Sequence, residues 1–187
     1  MSDASDLQDL EEEYGDEAYF DRRREGRRVF DSALLREPVS VLRARKPLVF
    51  SRHESATDAM RAMQAEHRGC VLVTRDGTPG SPLAGIFTER DVLFRIVDRG
   101  RNPATLPLAE VMTADPERAR VTQPIGAVLH MMNVGGFRHI PVVDEADRPV
   151  FVVSVKDVVQ FLVDAFPREI LALAGRPATP QRERDGA

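Results

Sequence analysis

The chain of 187 residues has no tryptophan, one cysteine and only 6 % aromatic residues. A single cysteine excludes an internal disulfide framework, so we expect a reducing compartment, the cytoplasm. Cys70 stands in the apolar run Cys70–Val73, where we expect it to be a packing residue. The scarcity of aromatic rings argues against a broad stacking surface for single-stranded nucleic acid.

Long hydrophobic runs and an excess of positive charge are also missing. No apolar run reaches the roughly 18 residues of a membrane-spanning helix, and the N-terminus is acidic, unlike that of a signal peptide. The net charge of −4 argues against nonspecific binding to DNA or to an anionic membrane. With 42 % hydrophobic residues, the chain is expected to form a globular, aliphatic core.

The sequence patterns that mark catalysis or metal binding are absent as well. The four histidines are scattered, and no His-x-x-x-His or Cys-x-x-Cys pattern occurs. There is no Gly-rich phosphate loop of the Walker type and no Gly-x-Ser-x-Gly nucleophile elbow. Because no convergent catalytic set is visible, we expect neither an enzyme, nor a metal site, nor a required cofactor.

The chain does contain one pattern twice. The matching pairs are Pro38 with Pro107 and Lys46 with Asp115 at an offset of 69 residues, Arg68 with Arg138 at 70, and Thr88 with Ser154 and Asp91 with Asp157 at 66. A duplicated unit with polar residues at matching places predicts two equivalent pockets.

Each copy shows the order strand, helix, strand, strand, helix. Apolar runs predict strands near residues 48–50, 70–73 and 83–87 in the first copy and near 119–121, 140–143 and 150–153 in the second. The residues expected to cap the helices are Ser55 or Thr57, Thr88, Thr122 and Ser154. Because about 60 residues are marginal for an independent core, we expect the two copies to pack face to face.

These patterns divide the chain into four parts. They are a charged flexible arm at 1–33, a first repeat at 34–101, a second repeat at 102–167 and a flexible tail at 168–187. Acidic residues dominate the arm as far as Asp21, and arginines cluster from Arg22 to Arg28. The arm is expected to be solvated or to fold on a partner.

The pairs Thr88–Asp91 and Ser154–Asp157 allow two interpretations. A hydroxyl residue at a helix start, followed three residues later by a carboxylate, is the pattern of an N-terminal capping box. The same groups can bind a ligand, because a carboxylate accepts hydrogen bonds from both neighbouring hydroxyls of a ribose. The hydroxyl group and the free N–H groups of the helix start suit a phosphate. Since the pair recurs after an apolar strand in each copy, we favour ligand binding.

A phosphate also needs positive partners. The candidates are Arg68, Arg90, Arg138, His139 and Lys156, of which arginine suits bidentate contacts. Arg138 and His139 can alternatively be a polar strand entry, and Arg90 and Lys156 can simply be exposed.

The run Arg138–Asp144, followed by a strand and the pair Ser154–Asp157, resembles the cystathionine-β-synthase (CBS) domain. Its occurrence twice in the same order resembles a tandem CBS pair, or Bateman module, over about residues 34–166. The resemblance implies an α+β fold of tandem CBS domains, with two βαββα repeats packed with pseudo-twofold symmetry. It also implies a homodimer formed by pairing of two such modules.

The resemblance further implies a regulatory module that binds AMP, ADP or ATP, or sometimes S-adenosylmethionine or a dinucleotide. It assigns Asp91 and Asp157 to the ribose and Thr88 and Ser154 to phosphate, with the adenine between the apolar runs. The expected ligand-binding residues are Gly69, Cys70, Val71, Thr88, Arg90, Asp91, Arg138, His139, Ile140, Pro141, Ser154, Lys156 and Asp157.

The two predicted pockets are not equal in sequence. The first copy has Gly85 at a position where the resemblance implies a small residue, and the second copy has Phe151, whose ring could fill the pocket. We therefore rank the Thr88–Asp91 pocket slightly ahead. Two other functions stay open. One is a structural homodimerisation module with degenerate pockets, and the other is a nucleic-acid regulator that uses Arg22–Arg28, against which the adjacent acidic stretch argues.

Overall fold

The computed structural model describes residues 32–42 and 45–166. The predicted tail and nearly all of the predicted arm, including the Arg22–Arg28 cluster, lie outside the described residues. The strands are β1 (Val49–Ser51), β2 (Cys70–Thr74), β3 (Leu83–Thr88), β4 (Thr113–Ala114), β5 (Ala119–Arg120), β6 (His139–Val143) and β7 (Pro149–Ser154). None of the described helices is long and apolar enough to cross a membrane.

The helices follow the predicted order. They are α1 (Ala56–Ala65), α2 (Glu89–Asp91), α3 (Leu108–Val111), α4 (Ile125–Gly135) and α5 (Val155–Ala165), with 3-10 turns at Ser32–Arg36 and Val39–Val41. Helix α2 continues directly as a π-helical segment, Val92–Val97. Such segments are rare and often lie at functional sites. Its counterpart α5 is a regular α-helix.

The strands form two sheets that repeat one topology. The first has the order β1-β2-β3-β4 and the second β5-β6-β7. In each sheet the first two strands are parallel and the next pair is antiparallel. Cys70 pairs with Thr88 in the first sheet, and His139 pairs with Ser154 in the second. The register therefore places each hydroxyl residue opposite the first residue of the neighbouring strand.

The start of α4 differs from the prediction. Thr122 does not cap this helix, because Pro124 is its N-cap and provides no side-chain hydrogen bond. Residues 121–125 instead bond to an earlier segment of the chain: Val39 N donates to Gln123 O at 2.8 Å, and Ile125 N donates to Glu37 O at 2.9 Å. This pairing keeps the backbone at Thr122 outside the helix.

The lead-in segment of each copy packs into the core of the other copy. Val39 and Leu42 are buried in a cluster with second-copy residues, among them Ile140. Leu108 and Val111 are buried in a cluster with first-copy residues such as Phe87 and Val71. The backbone crosses in the same way, since Leu108 N donates to Glu54 O at 2.9 Å. The two hydrophobic cores therefore do not follow the boundaries at 101 and 102.

A third buried cluster joins the two sheets. It contains Cys70, Leu72, Leu83 and Ile86 of the first copy and Val143 and Val152 of the second. Next to it, Leu83 N donates to Asp147 O at 2.8 Å. Because side chains alternate along a strand, β2 directs Leu72 toward this cluster and Val71 and Val73 toward the core of its own copy. The predicted α+β fold of two packed βαββα repeats is confirmed.

Candidate functional site

Two clefts contain the predicted acids. The first cleft, of about 440 Å³, joins Thr88 and Asp91 of the first copy to the segment Gly136–His139 of the second copy. The connecting residues Thr113 and Asp115–Glu117 form its remaining wall. Each hydroxyl–acid pair thus faces the strand entry of the opposite copy.

The second cleft, of about 340 Å³, has the mirrored composition. It joins Ser154–Asp157 of the second copy to His67–Cys70 of the first copy. Arg45, Pro47 and Leu48 form its remaining wall. Pro47 and Pro116 of the first cleft match at the offset of 69 residues, so the two clefts are built from equivalent segments.

Most of the predicted binding residues line one or both clefts. The first cleft contains Gly69, Thr88, Arg90, Asp91, Arg138 and His139, and the second contains Gly69, Cys70, Arg138, His139, Ser154, Lys156 and Asp157. Arg68, a candidate phosphate partner, also lines the second cleft. Gly69, Arg138 and His139 are shared by the two clefts.

Three predicted residues lie elsewhere. Val71 is buried in the core of the first copy and Ile140 in that of the second, while Pro141 is buried and lines neither of the two clefts. The expectation that their runs enclose an adenine is therefore not met. Only the first residue of each strand, Cys70 or His139, reaches a cleft, because the rest of the strand passes between packed layers.

Several lining residues were missed. The apolar ones are Phe94, Pro116 and Phe137 in the first cleft and Pro47, Leu48 and Val155 in the second. The offset of 69 residues that aligns Lys46-Pro47 with Asp115-Pro116 was a usable signal for the prolines, because it marks a duplicated loop rather than a strand.

The residues that favoured the first pocket in the sequence do not line these clefts. A Cβ atom on Gly85 would lie 3.0 Å from Thr113 O, so this glycine allows β4 to approach β3. Phe151 packs against the core of the second copy and does not fill the second cleft. Neither residue decides which cleft is open.

Both capping boxes form. Asp91 Oδ2 accepts hydrogen bonds from Thr88 N at 2.9 Å and Thr88 Oγ1 at 2.8 Å. Asp157 Oδ2 accepts from Ser154 N at 2.7 Å and Ser154 Oγ at 2.6 Å. In each cleft the carboxylate is therefore fixed through one oxygen, which leaves Oδ1 as the atom that can differ.

The remaining oxygens of the two acids do differ. Asp91 Oδ1 lies 3.2 Å from Arg95 Nε and accepts a hydrogen bond from Thr113 Oγ1 at 3.4 Å. Asp91 is only 6 % exposed. Asp157 is less buried, and its Oδ1 has no hydrogen-bond partner among the residues that the structure describes.

His139 lies where the two clefts meet. A Cβ atom on Gly69 would lie 2.7 Å from His139 Cε1, so the imidazole needs a glycine beneath it. Burial holds the pKa of His139 below its usual value; Arg138 adds to this effect, while Glu89 and Asp157 oppose it. The imidazole is therefore neutral at pH 7.

Cys70 is a packing residue at the edge of the second cleft. Burial raises the pKa of its thiol to about 12, so the thiolate does not form near neutral pH. Within residues 32–42 and 45–166, no group of three or more His, Cys, Asp or Glu side chains is placed to hold a metal ion.

Comparison with known proteins identifies the family. The model of the CBS domain matches residues 39–98 and again residues 108–164. The chain belongs to the CBS domain family. The two matched ranges are the two copies that the sequence repeat predicts, and the CBS prediction is confirmed.

Curated CBS relatives come from Arabidopsis thaliana. CBS domain-containing protein CBSCBSPB1 is 41 % identical over 99 residues, which is 53 % of this chain and 17 % of the relative. The mitochondrial protein CBSX3 is 30 % identical over 122 residues, 64 % of this chain and 58 % of the relative. This CBS chain thus spans less than two thirds of the length of either relative.

Solved structures share the fold. A CBS domain protein from Pyrobaculum aerophilum, complexed with AMP, has a TM-score of 0.60 and 22 % identity, and the match covers 73 % of this chain and 96 % of that one. The CBS domain pair of protein MJ0100, in complex with 5′-methylthioadenosine and S-adenosyl-L-methionine, has a TM-score of 0.58 and 20 % identity, over 67 % and 98 % of the two chains.

The buried imidazole makes the stability of this CBS pair depend on pH. The folded state disfavours a proton on His139, whereas the unfolded chain binds one below pH about 6.5. Stability is therefore lost as pH falls from about 7 through this value, by at most about 1.4 kcal/mol per pH unit for one proton. We expect His139→Gln to flatten this loss in urea unfolding followed at several pH values.

The matched control for this prediction is His130→Gln, the same change at an exposed position of α4. It is expected to leave the pH profile of unfolding as it is in the unmodified protein. A profile that His139→Gln does not alter would contradict the burial of a neutral imidazole between the clefts.

Proposed function

We propose that this CBS pair is a regulatory module, not an enzyme, that binds AMP, ADP, ATP or S-adenosylmethionine in its clefts. The observation that carries the proposal is the carboxylate of Asp157, which lines the second cleft with one oxygen fixed by Ser154 and the other without a partner among the described residues. Membership of the CBS family and the adenosyl ligands of the two structural neighbours support it.

The second cleft offers a chemical partner for each part of a nucleotide. Asp157 can accept hydrogen bonds from ribose hydroxyls, at about 1.5–3 kcal/mol for each bond to a charged group. Arg68 and Lys156 line the same cleft and can neutralise phosphate. Pro47 and Leu48 supply an apolar wall for the base. Ligand would regulate by favouring the arrangement of the module to which it binds more tightly.

We extend the proposal to a homodimer that works in a reducing compartment such as the cytoplasm. Three neighbouring side chains of the π-helical segment are exposed although they are apolar: Leu93 by 58 %, Phe94 by 62 % and Val97 by 64 %. On α5, Val155 and Val159 are exposed as well. An apolar patch of this kind suits a second copy of the chain. The buried thiol of Cys70 supports the reducing compartment.

The same exposed residues favour a second candidate function, a structural homodimerisation module with degenerate pockets. Calorimetric titration with AMP, ADP, ATP and S-adenosylmethionine, together with sedimentation velocity, separates the two. The proposal predicts saturable heat with at least one of these ligands and a dimeric mass. No heat and no thermal shift at millimolar ligand would discard the sensing function, and a dimeric mass would then support the structural one.

A further inference from the structure

The acid of the first cleft is held by an arginine that is itself fixed. Arg95 Nε lies 3.2 Å from Asp91 Oδ1. The same guanidinium donates from Nη1 to the carbonyl oxygens of Val111, at 3.2 Å, and Met112, and from Nη2 to Thr113 Oγ1 at 3.0 Å. These bonds tie Asp91 to the segment that enters the second copy. A ribose at Asp91 would have to displace this ion pair and leave buried acceptors without donors.

The second copy has no such arginine. At the offset of 66 residues that relates Asp91 to Asp157, the counterpart of Arg95 is Phe161. Phe161 packs against the core of the second copy instead of contacting the acid. Asp157 Oδ1 therefore stays available in the same backbone setting in which Asp91 Oδ1 is occupied.

The two clefts also differ in charge. In the second cleft Arg45, Arg68, Arg138 and Lys156 face a single acid, Asp157. In the first cleft Arg90, Arg95 and Arg138 face Asp91, Asp115 and Glu117. The second cleft therefore has an excess of positive charge, whereas the charges in the first cleft balance. An excess of positive charge at one site attracts and stabilises a polyanionic ligand.

Arg68 gives a further sign that the second cleft is incomplete without a ligand. Its Nη2 donates to Lys46 O at 2.8 Å. Its Nε is buried and has no hydrogen-bond partner in the part of the chain that the structure describes. A buried donor without an acceptor costs roughly 1–3 kcal/mol, and a phosphate oxygen at this place would satisfy it.

We propose that the second cleft is the nucleotide site and takes an adenine nucleotide with two or three phosphates, whereas Arg95 keeps the ribose out of the first cleft. This inference rests on the proposed function, because it assigns the ligand to one of the two CBS clefts. A nucleoside di- or triphosphate carries more negative charge than a monophosphate and extends across more of the four cations.

The test is calorimetric titration of the full chain with adenosine, AMP, ADP and ATP. We expect one site per chain, with ADP or ATP at least about tenfold tighter than AMP. Asp157→Asn is expected to weaken ADP at least about tenfold, because it removes the charge of the acceptor. Asp164→Asn, the same change two turns later on α5, is the matched control, since Asp164 is exposed and lines neither cleft.

Arg95→Met tests the other half of the inference. It removes the guanidinium and keeps an unbranched side chain, so adenosine is expected to bind at a second site per chain. If this variant does not fold, as judged by circular dichroism, the stoichiometry of the unmodified chain decides.

Three results would overturn the inference and leave the proposed function standing. They are two equal sites in the unmodified chain, equal affinity for AMP and ATP, and loss of ADP binding in Asp91→Asn while Asp157→Asn still binds. A second site that fails to open in a folded Arg95→Met would refute the role of Arg95. No binding of any of the four ligands would overturn the proposed function and the inference together.

Discussion

Leu72→Asp is expected to destabilise the whole CBS module by at least about 5 kcal/mol, which is enough to unfold many domains of this size. Leu72 is fully buried in the cluster that joins the two sheets, together with Val143 and Val152 of the second copy. A carboxylate at this place would lie between two apolar layers without a partner, and the contacts of the leucine would be lost as well.

Val150→Asp is the control for this substitution. Val150 lies on β7 of the second sheet but is exposed, so the new carboxylate stays in water. The measurement is urea unfolding followed by far-UV circular dichroism. The account predicts a chain without a cooperative transition for Leu72→Asp and a nearly unchanged midpoint for Val150→Asp. Similar midpoints for the two variants would contradict the packing of the sheets through Leu72.

The exchange of lead-in segments predicts the second large effect. Leu108→Ala is expected to lower the free energy of unfolding by about 2–5 kcal/mol, and Val39→Ala by about 1–3 kcal/mol. Each side chain is fully buried in the core of the copy to which it does not belong in sequence. The cavity left by each change should therefore weaken a core that is distant along the chain.

The chain offers a matched control in Val41→Ala. Val41 lies two residues after Val39 in the same 3-10 turn and is exposed. Urea unfolding should give a midpoint close to that of the unmodified protein for this variant and lower midpoints for Val39→Ala and Leu108→Ala. Equal midpoints for the two valine variants would mean that the lead-in segment contributes no core packing.

The parts of the fold that local pattern controls were predictable from the sequence. The apolar runs predicted β2 and β6, and the hydroxyl–acid pairs predicted where α2 and α5 begin, because capping needs only four consecutive residues. Thr122 was wrong as a helix cap because residues 37–39 form hydrogen bonds with Gln123 and Ile125. A partner more than 80 residues away cannot be read from a local pattern.

The candidate site was predictable in part, for a related reason. The repeat marked Thr88, Asp91, Ser154 and Asp157, which all line clefts. It placed the adenine against whole strands, although Val71 and Ile140 point into cores and only the strand entries reach the clefts.

Arg95 breaks the repeat rather than follows it. Its counterpart is the core residue Phe161, so a comparison of the two copies gave no hint of an ion pair with Asp91. The side-chain geometry was needed to distinguish an occupied acid from an open one. Differences between the copies, more than their likeness, therefore decide which cleft is available.

The most direct test of the central claim is a crystal structure of the full chain grown with ADP. The account predicts the ribose hydroxyls within hydrogen-bond distance of Asp157, the phosphates among Arg68, Arg138 and Lys156, and Arg95 still paired with Asp91. A ribose bound at neither acid, or a nucleotide held away from both clefts, would contradict it.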